Sequence, residues 1–351
     1  MRKHSVVFSA GLAMSLFLSL MLQANYPGQG QEGTITLLSV QDKITLLYHD
    51  NLSADWLPLL RSSAPTGRSP LVAVVDQARA QAQRLMLVYL GSAPAQMDGS
   101  LQDVVQLMNS SGYDLSALGA YELSQGEAEL AGAVMSARFP YLASNLELAG
   151  GSLAGLAWPF STTTLESLRA GANGRRIYDG LLVDVAGLNV CFFGLIDPAV
   201  SYAHKTSDLS AAAQRLVQTC KANQSELIVG LLHRSPAASL DRYDLSGVDV
   251  LIIGGADDAL NAQAGLNANV KETSKSLWVQ VSGQTRALGK LDLSMADGQI
   301  STFEHDLLAL PSQFVAMQPQ AAPPAATSPW WIVAFSVGVV VAAVFFLARK
   351  P

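Results

Sequence analysis

Between residues 34 and 310 the chain alternates short aliphatic runs with helical stretches, and that alternation limits its fold more than any other feature. The strand-like runs are Ile44–Tyr48, Arg84–Leu90, Leu181–Val185, Val190–Ile196, Leu227–Leu232, Val248–Ile253, Leu277–Val281 and Leu288–Leu293. Helical stretches lie between several of them, at Leu71–Gln83, Leu101–Ser110, Gly126–Ala137 and Leu209–Lys221. Strands separated by helices of about ten residues predict a layered α/β domain. The spacer AGLN between Leu181–Val185 and Val190–Ile196 predicts a hairpin, so the sheet is expected to be mixed. No internal repeat is evident.

The two ends have a different character. Arg2, Lys3 and His4 precede the uncharged apolar stretch Ser5 to Leu22, the pattern of an export signal over residues 1–24, with Ala24 as the last residue removed. An uncleaved N-terminal anchor is the alternative. At the other end Trp330 to Ala348 carries no charge and is long enough to cross the hydrocarbon core as a helix. Trp330 and Trp331 stand where an interfacial aromatic belt belongs, and Arg349 and Lys350 follow as charges retained inside. Both signals place the body on the periplasmic or extracellular side of a cell membrane, as a single-pass protein. A sorting tail that is later removed is the alternative for 330–348. Residues 311–329 are rich in Pro and Ala and predict an extended stalk.

Composition excludes some partners. The net charge is −6 and there is no Lys/Arg-rich tract, which argues against nucleic acid. The 351 residues suffice for one large domain, or two small ones, with ample core. Two cysteines are present, Cys191 in an apolar run and Cys220 at the end of a helical stretch. Separately buried thiols are the preferred reading; a disulfide in an oxidising compartment is the alternative. There is no C-x-x-C, no G-x-x-x-x-G-K-[ST] and no G-x-S-x-G around Ser92. Asp98, Asp103 and Asp114 are expected to be solvated or turn residues.

Six segments, in order, carry a family resemblance: ITLLYHDNLSADWLPL, MLVYLGSAPAQ, LMNSSGYDLSALGAYELSQG, ARFPYLASNLE, IVGLLHRS and VDVLIIGGADDAL. They resemble the metallophosphatase domain of the 5′-nucleotidase and UDP-sugar hydrolase family, within the calcineurin-like phosphoesterases. The family's motifs read NDxHGH, GD, GNHE, LSH and GGHTH. The resemblance spans residues 44–295 and implies a layered α-β-β-α sandwich with mixed sheets, to which the C-terminal transmembrane helix would be added. It also implies two cations about 3.5–4 Å apart, which activate water and stabilise the charge developing on phosphate.

The ligand positions implied by the resemblance are mostly changed. The first Asp and His fall on Asn51 and Ser53, and the bridging Asp falls on Ser92 beside Gly91. The Asn and His of GNHE fall on Ala120 and Tyr121, between a matching Gly119 and Glu122. His233 keeps the His of LSH. The two histidines of GGHTH fall on Ala256 and Asp258, after Gly254 and Gly255. A metal site needs three or four placed ligands with oriented supports. No metal or other cofactor is therefore expected, and no catalytic residue is assigned. The alternative is a single weakly held divalent cation at Asn51, His233 and Asp258. Candidate binding positions in the old cleft are Asn51, Glu122, His233 and Asp258. The family's second, nucleoside-gripping domain has no counterpart before the stalk, so nucleotide specificity does not carry over.

The sequence thus predicts a membrane-tethered pseudophosphatase that binds or scaffolds a protein partner. A divergent metal-dependent phosphoesterase with a reduced metal site is the second reading.

Overall fold

A computed structural model describes residues 42–50, 70–91, 100–148, 150–201, 204–235, 240–255, 269–272, 276–280 and 287–310. The expected signal (1–24), stalk (311–329) and membrane span (330–348) lie outside the described residues. Among those described, no helix is long and apolar enough to cross a membrane.

The strands in chain order are β1 (Asp42–His49), β2 (Leu85–Tyr89), β3 (Leu115–Ala117), β4 (Tyr141–Leu142), β5 (Ala157–Trp158), β6 (Ser161–Thr164), β7 (Ile177–Tyr178) and β8 (Leu181–Val185). They continue with β9 (Leu188–Ile196), β10 (Leu227–His233), β11 (Val250–Gly254), β12 (Asn269–Glu272), β13 (Leu277–Gln280), β14 (Ala287–Ala296) and β15 (Gln299–Ala309). They form two sheets, ordered β15-β14-β1-β2-β3-β4-β7-β5 and β12-β13-β11-β10-β9-β8-β6. Both are mixed. β1 runs parallel to β2 and antiparallel to β14, and β9 runs parallel to β10 and antiparallel to β8.

Strand alternation builds three apolar layers. Leu47, Leu85, Leu87 and Tyr89 face outward from the first sheet, onto Val75, Val104, Met108, Leu130 and Val134 of its helices. The residues between them, Leu46, Tyr48, Met86 and Val88, face the second sheet's Val183, Val190, Val229 and Ile252. That sheet's other face, with Phe193, Ile228 and Leu251, packs on Leu209, Leu216 and Val217. The order helix, sheet, sheet, helix is the layering expected from the sequence. Each fully buried aliphatic side chain contributes roughly 1.5–3 kcal/mol.

The helices start and stop for local reasons. Helix α1 spans Pro70–Gln81 and α2 spans Leu101–Ser111. Ser100 and Asp103 form a reciprocal capping box at the start of α2, and Gly112 closes it with φ +73°. Asp103 is therefore a capping residue. The short α3 (Ala120–Ser124) precedes α4 (Glu127–Ser136), and α5 spans Leu209–Ala222 with Asp208 capping the Ala211 amide at 2.7 Å.

Two expectations are corrected. Asp114 is not a solvated or turn residue. It is fully buried, accepts the Leu87 amide at 2.7 Å, and meets Arg169 at 3.0 Å and Arg79 at 3.4 Å. Burying a carboxylate is tolerable only with such partners. Cys191 and Cys220 are not separate thiols either; they form a disulfide that ties β9 to α5. Each sits on an inward face of its element, and their Cα atoms lie 5.9 Å apart, within bridging reach.

Candidate functional site

Parallel pairing brings several strand ends to one edge of the sandwich. His49 pairs in register with Tyr89, and His233 pairs with Ile196 on one side and Gly254 on the other. Hence Asp50, Gly91, Asp197, Arg234 and Gly255, each just past its strand, lie at the same end. Open α/β sheets bind ligands there. Two glycines make the packing feasible. Gly91 has φ +88°, and a side chain on it would strike the Gly119 backbone. Gly255 has φ +75°, and a side chain on it would strike the Arg234 carbonyl. Only glycine meets both demands.

Asp50 and His233 form the centre. The Gly255 amide donates to Asp50 Oδ2 at 2.6 Å, and Asp50 Oδ1 lies 3.8 Å from His233 Nδ1. Both side chains are almost wholly buried. Burial pushes the His233 imidazole down to about 4, against the opposing pull of the Leu90 backbone and the Asp197 carboxylate. His233 is therefore neutral at neutral pH, and its approach to Asp50 is not an ion pair. His49, one residue before Asp50, is pushed down to about 3 by burial. Its Nε2 hydrogen-bonds the Tyr113 hydroxyl, and its ring packs against Tyr89 and Tyr113.

Charged groups flank this pair. Asp197 is fully buried and accepts from Arg242 Nη2 at 3.1 and 3.2 Å, from the Ala199 amide at 3.0 Å and from the Ser235 amide at 3.2 Å. Burial lowers the Arg234 guanidinium, and Asp197 opposes that. Asn145 clips the two sheets together, accepting the Ile196 amide at 2.9 Å and donating to the Ile196 carbonyl at 2.8 Å. Glu122 is buried and accepts the Gly119 amide at 3.1 Å. The Tyr89 phenol is raised well above its ordinary value, first by burial and then by the Glu122 and Asp50 carboxylates, so both acids lie around it.

Of the positions singled out in the sequence, Asn51, Ser53, Ser92, Ala256 and Asp258 lie outside the described residues. Ala120 and Tyr121 open α3, between Gly119 and Glu122. Alanine offers no donor atom. The Tyr121 phenol is pushed up by burial and by Glu129 and Glu122, so it stays protonated and is a poor ligand. His233 is at the strand end as expected. Sequence reasoning passed over Asp50, Asn145, Asp197 and Arg234. The signal for Asp50 was present: His49-Asp50-Asn51 carries the family's Asn-Asp pair in reversed order.

The described residues do not fit a two-metal centre. His233 and Asp50 are two donors, and no group of three or more His, Cys, Asp or Glu among the described residues converges as a ligand set. What the arrangement offers is a buried, hydrogen-bonded polar cluster at the strand ends.

No family model matches the chain. Over 201 residues, 50% of this chain and 28% of the relative, it is 24% identical to a 2′,3′-cyclic-nucleotide 2′-phosphodiesterase/3′-nucleotidase of Haemophilus influenzae. It superimposes on a 5′-nucleotidase precursor from Thermus thermophilus with TM-score 0.57 and 19% identity, covering 77% of this chain and 55% of that one. The calcineurin-like phosphoesterase YfkN from Bacillus subtilis gives TM-score 0.52 and 16% identity, covering 77% of this chain and 91% of that one. The chain thus has the metallophosphatase fold seen in 5′-nucleotidases and calcineurin-like phosphoesterases. It spans 28% of the curated relative's length and 55% of the Thermus protein's.

Proposed function

We propose that this chain is a catalytically inactive 5′-nucleotidase-like domain, a pseudophosphatase, that is tethered to the membrane and binds or scaffolds a protein partner. One observation carries the reading. Gly119 and Glu122 cap the start of α3, while Ala120 and Tyr121 stand where the family resemblance implies amide and imidazole ligands. A methyl group and a protonated phenol do not substitute for those ligands. The changes at Asn51, Ser53, Ser92, Ala256 and Asp258 point the same way. Loss in several separate motifs is hard to reconcile with drift at one position. The tether is Trp330–Ala348, with the body outside the cytoplasm, and the Cys191–Cys220 bridge suits such an oxidising compartment. No metal cofactor and no nucleic acid partner belong to this reading.

Metal analysis of the purified full-length protein, with turnover measured on a generic phosphate ester, tests it. The expected result is substoichiometric metal and no turnover. Two equivalents of Mn, Zn or Fe with turnover would overturn it. Asp50 beside His233 favours one second reading, a phosphoesterase with a reduced, single-cation site. One equivalent of metal and metal-dependent turnover would select that alternative.

A further inference from the structure

We propose that Asp50 stands in for the metal as the cross-link of this cleft, so that the strand-end site keeps its shape without a cation. The inference rests on the non-catalytic reading above. In a metallophosphatase the cations would tie together loops that follow different strands, and such binding contributes directly to the folded state. Here a carboxylate makes the tie. Asp50 follows β1, its Oδ2 takes the amide of Gly255 beyond β11 at 2.6 Å, and its Oδ1 faces His233 of β10 at 3.8 Å. Three strand ends, from both sheets, meet at one side chain.

Local chemistry favours a clamp over a cation ligand. A hydrogen bond from an amide to a carboxylate is a strong one. Removing that acceptor would leave a buried amide unsatisfied, which is costly. The His233 imidazole packs beside the other oxygen, with Nδ1 3.8 Å from Oδ1. The glycines are shaped to the clamp. A side chain on Gly254 would come within 2.5 Å of Asp50 Oδ1, and Gly255 holds its amide toward Asp50 with φ +75°. The cleft would then be assembled whether or not transition metal is present, which suits a constitutive binding surface.

Thermal unfolding of the full-length protein in detergent tests this, with EDTA, with added Mn²⁺ or Zn²⁺, and with neither. The wild type should melt at one temperature in all three. Asp50→Ala should lower the Tm by roughly 2–10 °C, with no recovery on adding metal. Asp50→Asn, which retains an oxygen for the Gly255 amide, should fall between. If Asp50→Ala does not accumulate as folded protein, Asp50→Asn is compared with wild type in its place, and a lowered Tm without metal rescue is the supporting result. A wild-type Tm that drops with EDTA, or rises with metal in a manner lost in Asp50→Ala, makes Asp50 a ligand and overturns the clamp. Equal melting of Asp50→Ala and wild type also overturns it. The two readings fail differently: metal-dependent turnover removes both, whereas an inert Asp50→Ala without metal response or turnover removes the clamp alone.

Discussion

Asp114 and Asp50, at opposite ends of the sandwich, are buried in opposite ways. Where the parallel strands begin, Asp114 is met by two guanidinium groups and a backbone amide. The disulfide lies toward the same end, since Cys191 pairs with Ile228 near the start of β10. Where the strands finish, Asp50 meets an amide and a neutral imidazole. The first end is cross-linked by charge and covalent bond. The second has its own charged contact, Arg242 on Asp197, but around Asp50 it is held by glycines, hydrogen bonds and two histidines kept neutral by burial. The difference teaches that stability and site have been divided between opposite ends of one fold. A strand-end site can lose its metal chemistry while the far end continues to hold the sheets together.

Acid should expose this division most strongly. His233 and His49 have folded values of about 4 and about 3, below the ordinary value near 6.5. Above about pH 6.5 neither state takes up these protons, and the folded protein keeps its full stability. Below it the unfolded chain is protonated first, so stability falls by about 1.4 kcal/mol per pH unit for each histidine until its folded value is reached. The pair should thus account for several kcal/mol between about pH 6.5 and about pH 4. Urea midpoints measured across that window check this. His233→Gln and His49→Gln should each flatten the slope. A slope unchanged in both variants would place the acid-labile groups elsewhere and break the comparison.

The disulfide should rank next. It closes a sequence separation of 29 residues, for which the chain-entropy account gives about 3–4 kcal/mol. Reduction, or Cys191→Ala with Cys220→Ala, should lower the denaturant midpoint accordingly. It should leave the acid slope as it was, because the bond lies away from both histidines. A changed slope would mean that the two ends are not independent.

Much of the fold was legible because burial on both faces writes itself as apolar runs. Leu181–Val185 was readable to the residue, the hairpin after it was foreseen with its turn two residues too long, and the main helices were readable within a few residues. The short strands β3, β4, β5 and β7 were not, since two or three residues carry no period. The long edge strand β15 escaped because one face is exposed and polar and the other is only half-buried. In the site, motif order located His233, Glu122 and the glycines. It did not locate Asp50, because a residue aligned one place off looks like a bystander until its hydrogen bond to Gly255 is seen. Asp114 was misjudged for a related reason. An acid after Gly112 and Tyr113 reads as a turn, and the two arginines that neutralise it lie 35 and 55 residues away.

Asp114→Asn tests the stabilising end more locally. Removing one partner of a buried ion pair costs about 3–5 kcal/mol. Here Arg169 is 39% exposed and Arg79 is 23% exposed, so both can turn to water once the acid is gone. A loss of about 2–3 kcal/mol is expected. Asp50→Asn should lose less, since the asparagine carbonyl still accepts the Gly255 amide and the facing imidazole carries no charge. If the order is reversed, the site end contributes more stability than its chemistry suggests.

The smallest effect is expected from rebuilding the lost ligands. Ala120→Asn with Tyr121→His returns an amide and an imidazole to the loop between Gly119 and Glu122. Both positions are partly exposed, so stability should shift by no more than about 0.5 kcal/mol. Phosphate-ester turnover should remain at background, because two donors without a bridging carboxylate do not hold a pair of cations. Ser92→Asp alone should be equally silent, since the amide and imidazole are then still missing. Turnover in either variant, with Mn²⁺ present, would mean that the remaining positions already hold metal in a working geometry. The site end would then be a damaged active centre one or two substitutions from activity, and its contrast with the far end would be one of degree.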